Sequence, residues 1–94
     1  RVSDPRPIHL VGIGGAGMSG LARLAHQAGY RVSGTDREES AALAALRELG
    51  VDARAGHSAG ALPPDAAAVV VSTAVPEGAP DLAAARARGL PVLH

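Results

Sequence analysis

The feature that most constrains the fold is a glycine-rich turn directly after a short apolar run. Residues 12–20 read Gly-Ile-Gly-Gly-Ala-Gly-Met-Ser-Gly and follow the apolar residues 8–11. Gly12, Gly14 and Gly17 have the spacing G-x-G-x-x-G, which is typical of a strand that turns tightly into a helix. We expect positive φ at these glycines, including Gly14 and Gly17, because other residues adopt it only at a cost. The start of the helix leaves backbone N–H groups without partners, so the pattern predicts a phosphate-binding turn.

The rest of the chain alternates between strand and helix patterns. Apolar runs predict five strands, at residues 8–12, 31–35, 51–54 and 67–72 and from residue 92 onward. Helical spacing of apolar residues predicts three helices: one that Gly29 ends, one from an N-cap at Ser40 to Leu49, and one from Pro80 to Arg88. Residues 56–64 are predicted to form a loop. Because crossovers between parallel strands are right-handed, we expect one Rossmann-like domain over residues 1–94. Its α/β sheet would be parallel and doubly wound, with a ligand crevice at the carboxyl ends of the strands.

The composition excludes several classes of function. Nine basic and nine acidic residues give a formal net charge of zero, so nothing favours nucleic acid or an anionic membrane as a partner. No apolar run reaches about 18 residues, the length needed to span a bilayer. The absence of Cys excludes disulfides and thiolate chemistry, and we expect a cytoplasmic location. All nine basic residues are Arg, whereas a Walker A loop requires Lys, so ATP chemistry of that type has to lie outside this chain.

The glycine turn, Asp36 and the pair Ser72-Thr73 follow the first, second and fourth predicted strands and lie at the same edge of the sheet. Asp36 ends the second strand, where an acid commonly binds a ribose 2′-hydroxyl, so the residues alone favour NAD as the ligand. Ser72 and Thr73 follow the fourth strand. Ser19 lies near the start of the first helix, where its hydroxyl either donates to a phosphate or bonds its own backbone.

The histidines differ in what they suggest. His57 lies in a glycine-flanked loop after the third strand and is either an ordinary solvated residue or a ligand contact. His9 alternates within the first strand and is expected to be packed and hydrogen-bonded. His26 and His94 have no second ligand at helical spacing, so no metal site is predicted.

Residues 9–20 together with Ser33-Gly34-Thr35-Asp36 resemble the amino-terminal domain of the Mur ligases, which act in peptidoglycan synthesis. The resemblance is to the members that join L-alanine to UDP-N-acetylmuramate. Further matches follow in the same order along the chain, at residues 56–57, 71–75, 80–82 and 89–94. The sequence departs from the family pattern at Thr73, where Ser is frequent, and at Ala79, where Asn is common.

The resemblance implies a three-domain, ATP-dependent ligase of which residues 1–94 form only the first domain. That domain binds the UDP moiety of UDP-N-acetylmuramate, whereas the central domain carries ATP and Mg²⁺ and the last domain receives L-alanine. The first domain alone is therefore expected to hold no cofactor and no catalytic residue, and to have no ligase activity. The residues expected to face UDP are Gly14, Gly15, Ala16, Gly17, Met18, Ser19, Asp36, His57, Ser72 and Thr73. Within this set the resemblance assigns the glycines to the diphosphate, Asp36 to the ribose or the neighbouring sugar, and the last three residues to the uridine.

Two other interpretations share the glycine turn and the terminal acid. One is the NAD-binding domain of a dehydrogenase. The other is a regulatory nucleotide-sensing module of the kind found in potassium-channel regulatory domains. The glycine turn and Asp36 alone do not decide among the three.

Overall fold

Five parallel strands form one sheet with the first strand at its centre. The computed structural model describes residues 6–94. In chain order the strands are β1 (Ile8–Val11), β2 (Val32–Asp36), β3 (Asp52–Ala55), β4 (Ala68–Val71) and β5 (Val92–Leu93). Their order across the sheet is β3-β2-β1-β4-β5, which is the doubly wound, Rossmann-like arrangement expected from the sequence. The strand order reverses between β1 and β4, and doubly wound sheets bind ligands at such a position.

The register of the strands brings their carboxyl ends level with one another. Val11 pairs with Thr35 on one side and with Val71 on the other. Asp36 pairs with Ala55. The segments that follow β1, β2, β3 and β4 therefore leave the sheet at one edge, as predicted.

Helices cover both faces of the sheet. Helices α1 (Ala16–Gln27) and α2 (Ala41–Glu48) lie on one face, and α3 (Pro80–Ala87) lies on the other with a short 3₁₀ helix (Ala59–Ala61). The buried residues under α1 and α2 include Leu10, Ile13, Ala22, Leu43 and Leu46, and those under α3 include Val11, Val69, Val71, Leu82 and Ala85. With no Phe or Trp in the chain, small helical residues such as Ala22 and Ala85 let the helices approach the sheet closely.

The helix ends follow the signals in the sequence. Ser40 caps α2 because its Oγ accepts a hydrogen bond from the N–H of Leu43 at 3.2 Å. Gly29, Gly50 and Gly89 follow the three helices with positive φ. The strand bounds differ from the predicted ones by about one residue, and the predicted loop at 56–64 contains the 3₁₀ helix. No helix within residues 6–94 is long and apolar enough to cross a membrane.

Candidate functional site

A cleft of about 590 Å³ opens at the carboxyl edge of the sheet, above the point where the strand order reverses. It lies among the glycine turn after β1, the end of β2, the loop after β3 and the loop after β4. Its lining residues are Gly12, Gly15, Asp36, Arg37, His57, Ser72, Ala74, Val75, Pro76, Gly78 and Ala79. A hollow of about 270 Å³ adjoins it, where Gly14 faces Asp36 and the start of α2.

Gly12 is the glycine on which the shape of the turn depends. Its φ is +88°, and a Cβ there would lie 2.9 Å from both Ser72 Cβ and Val75 Cγ2. Its N–H donates to the carbonyl of Thr35 at 2.8 Å, which fixes the turn against β2. The expectation of positive φ at Gly14 and Gly17 is wrong, because Gly12 makes the left-handed step and the backbone then enters α1 directly.

Asp36 is tied into the glycine turn. One carboxylate oxygen, Oδ2, accepts the N–H of Gly14 at 2.7 Å, and the other, Oδ1, accepts the N–H of Arg37 at 2.7 Å. Each carboxylate oxygen has more than one acceptor position, so Asp36 retains capacity for hydroxyl donors of a ligand. The contact with Gly14 is absent from the sequence-based interpretation, which considered only a sugar for Asp36.

The first turn of α1 presents backbone N–H groups without a side-chain cap. Gly15 is the N-cap residue, and no side chain accepts from the turn that follows. No acidic residue of α1 itself lies in that turn, and the carboxylate nearest the positive end of the helix dipole is that of Asp36, which accepts the N–H of Gly14. Ser19 Oγ donates to the carbonyl of Ala16 at 3.1 Å. Of the two roles that the sequence allowed, a bond to a phosphate or a bond to its own backbone, this is the second.

A buried polar network of five side chains leads from the sheet to the cleft: Ser33, His9, Asp81, Thr35 and His57. Asp81 Oδ2 accepts from His9 Nε2 at 2.7 Å and from Thr35 Oγ1 at 2.6 Å. Beyond these, His9 Nδ1 contacts Ser33 Oγ at 2.8 Å, and Thr35 Oγ1 contacts His57 Nδ1 at 2.6 Å. His9, Thr35 and Asp81 are fully buried. His9 is thus the packed, hydrogen-bonded strand residue that its position predicts.

Asp81 is the charged member of this network. Burial raises the pKa of the Asp81 carboxyl, but the hydrogen bonds from His9 and Thr35 outweigh burial and hold the pKa below its ordinary value. The group is therefore a carboxylate near neutral pH. Its second oxygen, Oδ1, is buried without a hydrogen-bond partner among the described residues, and His57 Nδ1 lies 3.7 Å away.

Sequence reasoning took Asp81 only as a residue of the helix start. A usable signal did exist. His9 and Val11 share a face of β1, and Ser33 and Thr35 share the same face of β2, so polar groups inside buried strands required partners from α3.

The structure brings together some of the predicted ligand-binding residues and leaves others at the margin. Gly15, Asp36, His57 and Ser72 line the cleft, and Gly14 lines the adjoining hollow. The remaining predicted residues are not among those that line the cleft: Ala16, Gly17, Met18, Ser19 and Thr73. The side chain of Met18 packs against the core under α1 and α2. His57 has a fixed orientation with a side chain only 14% exposed, unlike a solvated loop residue. Arg37 lines the cleft and was missed, although it follows Asp36 directly.

Comparison with known proteins identifies the family. The family model described as Mur ligase family, catalytic domain, matches residues 7–94. The chain belongs to the Mur ligase family. The resemblance inferred from the glycine turn and the strand that ends at Asp36 is thereby confirmed.

The curated relatives described here are all named UDP-N-acetylmuramate–L-alanine ligase. The UDP-N-acetylmuramate–L-alanine ligase of Streptomyces coelicolor is 50% identical over 86 residues, which are 92% of this chain and 19% of that protein. The enzyme of the same name from Rhodospirillum rubrum is 49% identical over 91 residues, which are 97% of this chain and 19% of that protein. The chain therefore spans roughly a fifth of the length of these relatives.

Solved Mur ligase structures share the fold. The UDP-N-acetylmuramate–alanine ligase MurC from Thermotoga maritima matches with a TM-score of 0.89 at 35% identity, over 94% of this chain and 20% of that one. The UDP-N-acetylmuramate:L-alanyl-γ-D-glutamyl-meso-diaminopimelate ligase of Neisseria meningitides matches with a TM-score of 0.83 at 34% identity, over 96% of this chain and 28% of that one. The Rossmann-like fold predicted from the sequence is confirmed.

Proposed function

We propose that this domain binds the UDP moiety of UDP-N-acetylmuramate, as the amino-terminal domain of a ligase that joins L-alanine to that substrate. The observation that carries the proposal is the cleft at the β1–β4 reversal. There an uncapped glycine turn, an acid and an oriented histidine face one space in a chain of this family.

The names of the similar proteins support a UDP-sugar rather than a dinucleotide. The Thermotoga and Neisseria ligases differ in the amino component that their names give, yet both names contain UDP-N-acetylmuramate. Both also contain a region that closely resembles this chain, which favours the shared nucleotide sugar as its ligand. The relatives at about 50% identity are named for L-alanine, so we infer that amino acid for the whole enzyme.

The residues at the cleft suit the parts of UDP. The N–H groups of Ala16, Gly17 and Met18 at the start of α1 would receive the diphosphate, with about 1.5–3 kcal/mol per charge-assisted bond. The N–H groups of Gly15 and Ser19 already donate to the carbonyls of Gly12 and Gly15. The helix dipole adds roughly 0.3–1 kcal/mol. Arg37 at the rim offers a positive charge to the same group. Asp36 would accept hydrogen bonds from hydroxyls of the ribose or the neighbouring sugar. The uridine would be contacted by His57, Ser72 and Thr73.

ATP and Mg²⁺ belong to the same proposal but not to this domain. A chain without Lys does not fit a Walker A loop, so its residues do not match the requirement for ATP of that type. We infer that ATP, Mg²⁺ and L-alanine are bound by other parts of a longer enzyme, which would operate in the cytoplasm.

Titration calorimetry with UDP, UDP-N-acetylmuramate, ADP and NADH tests the proposal. A missing hydrogen-bond partner in a desolvated pocket costs about 1–3 kcal/mol, or about tenfold or more in affinity. UDP and UDP-N-acetylmuramate are therefore expected to bind at least about tenfold more tightly than ADP or NADH. If NADH displaces UDP at an equal or lower concentration, the proposed preference of the cleft for UDP is overturned.

A further inference from the structure

We propose that Asp81 and Thr35 are positioning residues that hold the His57 ring with its proton on Nδ1 and its unprotonated Nε2 facing the cleft. The site then accepts a hydrogen-bond donor of the ligand at this point and does not bind a phosphate oxygen there. The identity of the ligand in this inference rests on the proposed function, whereas the state of the histidine does not.

The first step is the direction of the hydrogen bonds. An ionised carboxylate only accepts, and a threonine hydroxyl has a single proton to donate. Thr35 gives that proton to Asp81 Oδ2 at 2.6 Å. Toward His57 the same oxygen can therefore only accept, so at 2.6 Å the Nδ1 atom of His57 has to be the donor.

The second step is independent of the hydroxyl. Asp81 Oδ1 is buried without a hydrogen-bond partner among the described residues, and it lies 3.7 Å from His57 Nδ1. A buried negative oxygen at that distance favours an N–H over a lone pair on the facing nitrogen. The lowered pKa of Asp81 supports the ionised form that both steps require.

The third step concerns the other ring nitrogen. His57 lines the cleft. Within residues 6–94 its Nε2 has no hydrogen-bond partner, and this atom is not buried. In the neutral ring the proton on Nδ1 leaves a lone pair on Nε2. The matching group on a uridine nucleotide is a donor, either the imide N–H of uracil or a ribose hydroxyl.

Nitrogen-15 NMR of histidine-labelled chain without ligand tests the state of His57 directly. The wild-type protein is expected to show His57 protonated at Nδ1 and unprotonated at Nε2. Thr35→Ser, which keeps the hydroxyl, is expected to preserve that form, whereas Thr35→Val is expected to give a mixture of the two neutral forms. Ser33→Ala is the matched control, because it removes a hydroxyl at the far end of the same network.

Asp81→Asn provides the second variant. An amide presents one N–H₂ group, which in either orientation faces Thr35 or His57 Nδ1. With N–H₂ toward Thr35, the Thr35 hydroxyl is free to donate to Nδ1, whereas in the other orientation the amide oxygen still accepts from His9 and Thr35 and the proton stays on Nδ1. Because the negative charge that faces Nδ1 is lost in both orientations, the share of the ring protonated at Nε2 is expected to rise above that of the wild type. A wild-type His57 that carries a proton on Nε2, or an Asp81→Asn spectrum in which the share protonated at Nε2 does not rise, would overturn the inference even if Thr35→Val fails to fold.

Binding of UDP analogues to the wild-type chain identifies the donor. N3-methyl-UDP removes the imide N–H, and 2′-deoxy-UDP and 3′-deoxy-UDP each remove one hydroxyl. One of these changes is expected to lower the affinity about tenfold, and Thr35→Val is expected to lose most of that discrimination while Thr35→Ser retains it. If all three analogues bind as UDP does, no donor meets Nε2 and this part is overturned. If UDP itself does not bind, the proposed function fails while the NMR result still decides the role of Thr35 and Asp81.

Discussion

Asp36 Oδ2 accepts a hydrogen bond from the backbone N–H of Gly14 at 2.7 Å, which ties the end of β2 to the glycine turn after β1. A Cβ at Gly14 would lie 2.7 Å from that same oxygen. Gly14 is thus required by the close approach of an acid and not by positive φ. The carboxylate that we propose for the sugar also shapes the turn that we propose for the diphosphate. A substitution of Gly14 or of Asp36 should therefore affect recognition of both the sugar and the diphosphate.

Gly14→Ala is expected to lower the affinity for UDP at least about tenfold, because the new Cβ displaces Asp36 and breaks its bond to the turn. The fold is expected to persist, since the clash is with the end of a side chain rather than with backbone. Calorimetry measures the affinity, and an unchanged circular dichroism spectrum controls for the fold. Undiminished UDP binding by the folded variant would place the diphosphate elsewhere.

Gly17→Ala and Gly20→Ala form a matched pair, because both glycines lie in α1 and a Cβ at either one meets no atom within 4 Å. Both variants are expected to be neutral or more stable by up to about 1 kcal/mol in urea unfolding, since Ala favours the helix. Gly17 alone of the two lies in the first turn, beside the proposed diphosphate. Gly17→Ala should therefore weaken UDP binding while Gly20→Ala leaves it unchanged. Equal UDP affinities for the two variants would contradict a diphosphate at this helix start.

The sequence predicted the parts of this molecule that depend on local signals. The glycine turn, the Ser40 cap and the glycine that ends each helix are read within a few residues, because each acts on its neighbouring backbone. The parallel sheet followed from the alternation of strand and helix patterns and from the handedness of their connections. The parallel sheet in turn predicted that Asp36 and Ser72 lie at the same edge, where both line the cleft.

The features that sequence reasoning missed depend on contacts between distant elements. Asp81 has the local signature of a charge at a helix start, yet its partners are His9 and Thr35, which only the packing of α3 on the sheet brings to it. The bond between Gly14 and Asp36 depends likewise on the register of β1 against β2. The first leaves one trace in the chain, the polar residues on one face of β1 and β2, which does not identify Asp81 as their partner.

Gly34→Ala tests a packing constraint of the same long-range kind. A Cβ at Gly34 would lie 2.4 Å from the carbonyl oxygen of Leu10 and 2.6 Å from Ile13 Cδ1. Backbone cannot move aside cheaply, so the free energy of unfolding is expected to fall by about 1–3 kcal/mol or more. Urea unfolding measures the change, and Gly20→Ala is the control at an open position. A Gly34→Ala protein as stable as wild type would mean that β1 and β2 can separate without cost.

The chain is expected to release no phosphate from ATP in the presence of Mg²⁺, and to form no product from UDP-N-acetylmuramate and L-alanine. The physical reason is the absence of Lys, which leaves nothing to bind the terminal phosphates in the manner of a Walker A loop. A coupled phosphate assay across the purification checks this. Activity above the buffer rate that follows the chain through successive columns would contradict it.

The stability of the protein in acid is expected to depend on Asp81. Because the pKa of the folded Asp81 lies below its ordinary value, the unfolded chain binds more protons between the two values, and stability rises with pH over that interval. The contribution of Asp81 is therefore complete above about pH 4 and lost as the pH falls through the folded pKa. Asp81→Asn should lower the free energy of unfolding by about 1.5–3 kcal/mol at pH 7 and flatten its decline in acid.

Asp65→Asn is the matched control for this measurement. The hydrogen bond from Arg31 also holds the pKa of Asp65 below its ordinary value, but both side chains of that pair are more than half exposed. Water and salt screen such a pair, so its loss should change the acid limb of the stability curve little. Urea unfolding of the three proteins from pH 2.5 to pH 7 would separate the two carboxylates. Wild type and Asp81→Asn with the same acid slope would show that the buried network is not ionised as the hydrogen bonds require.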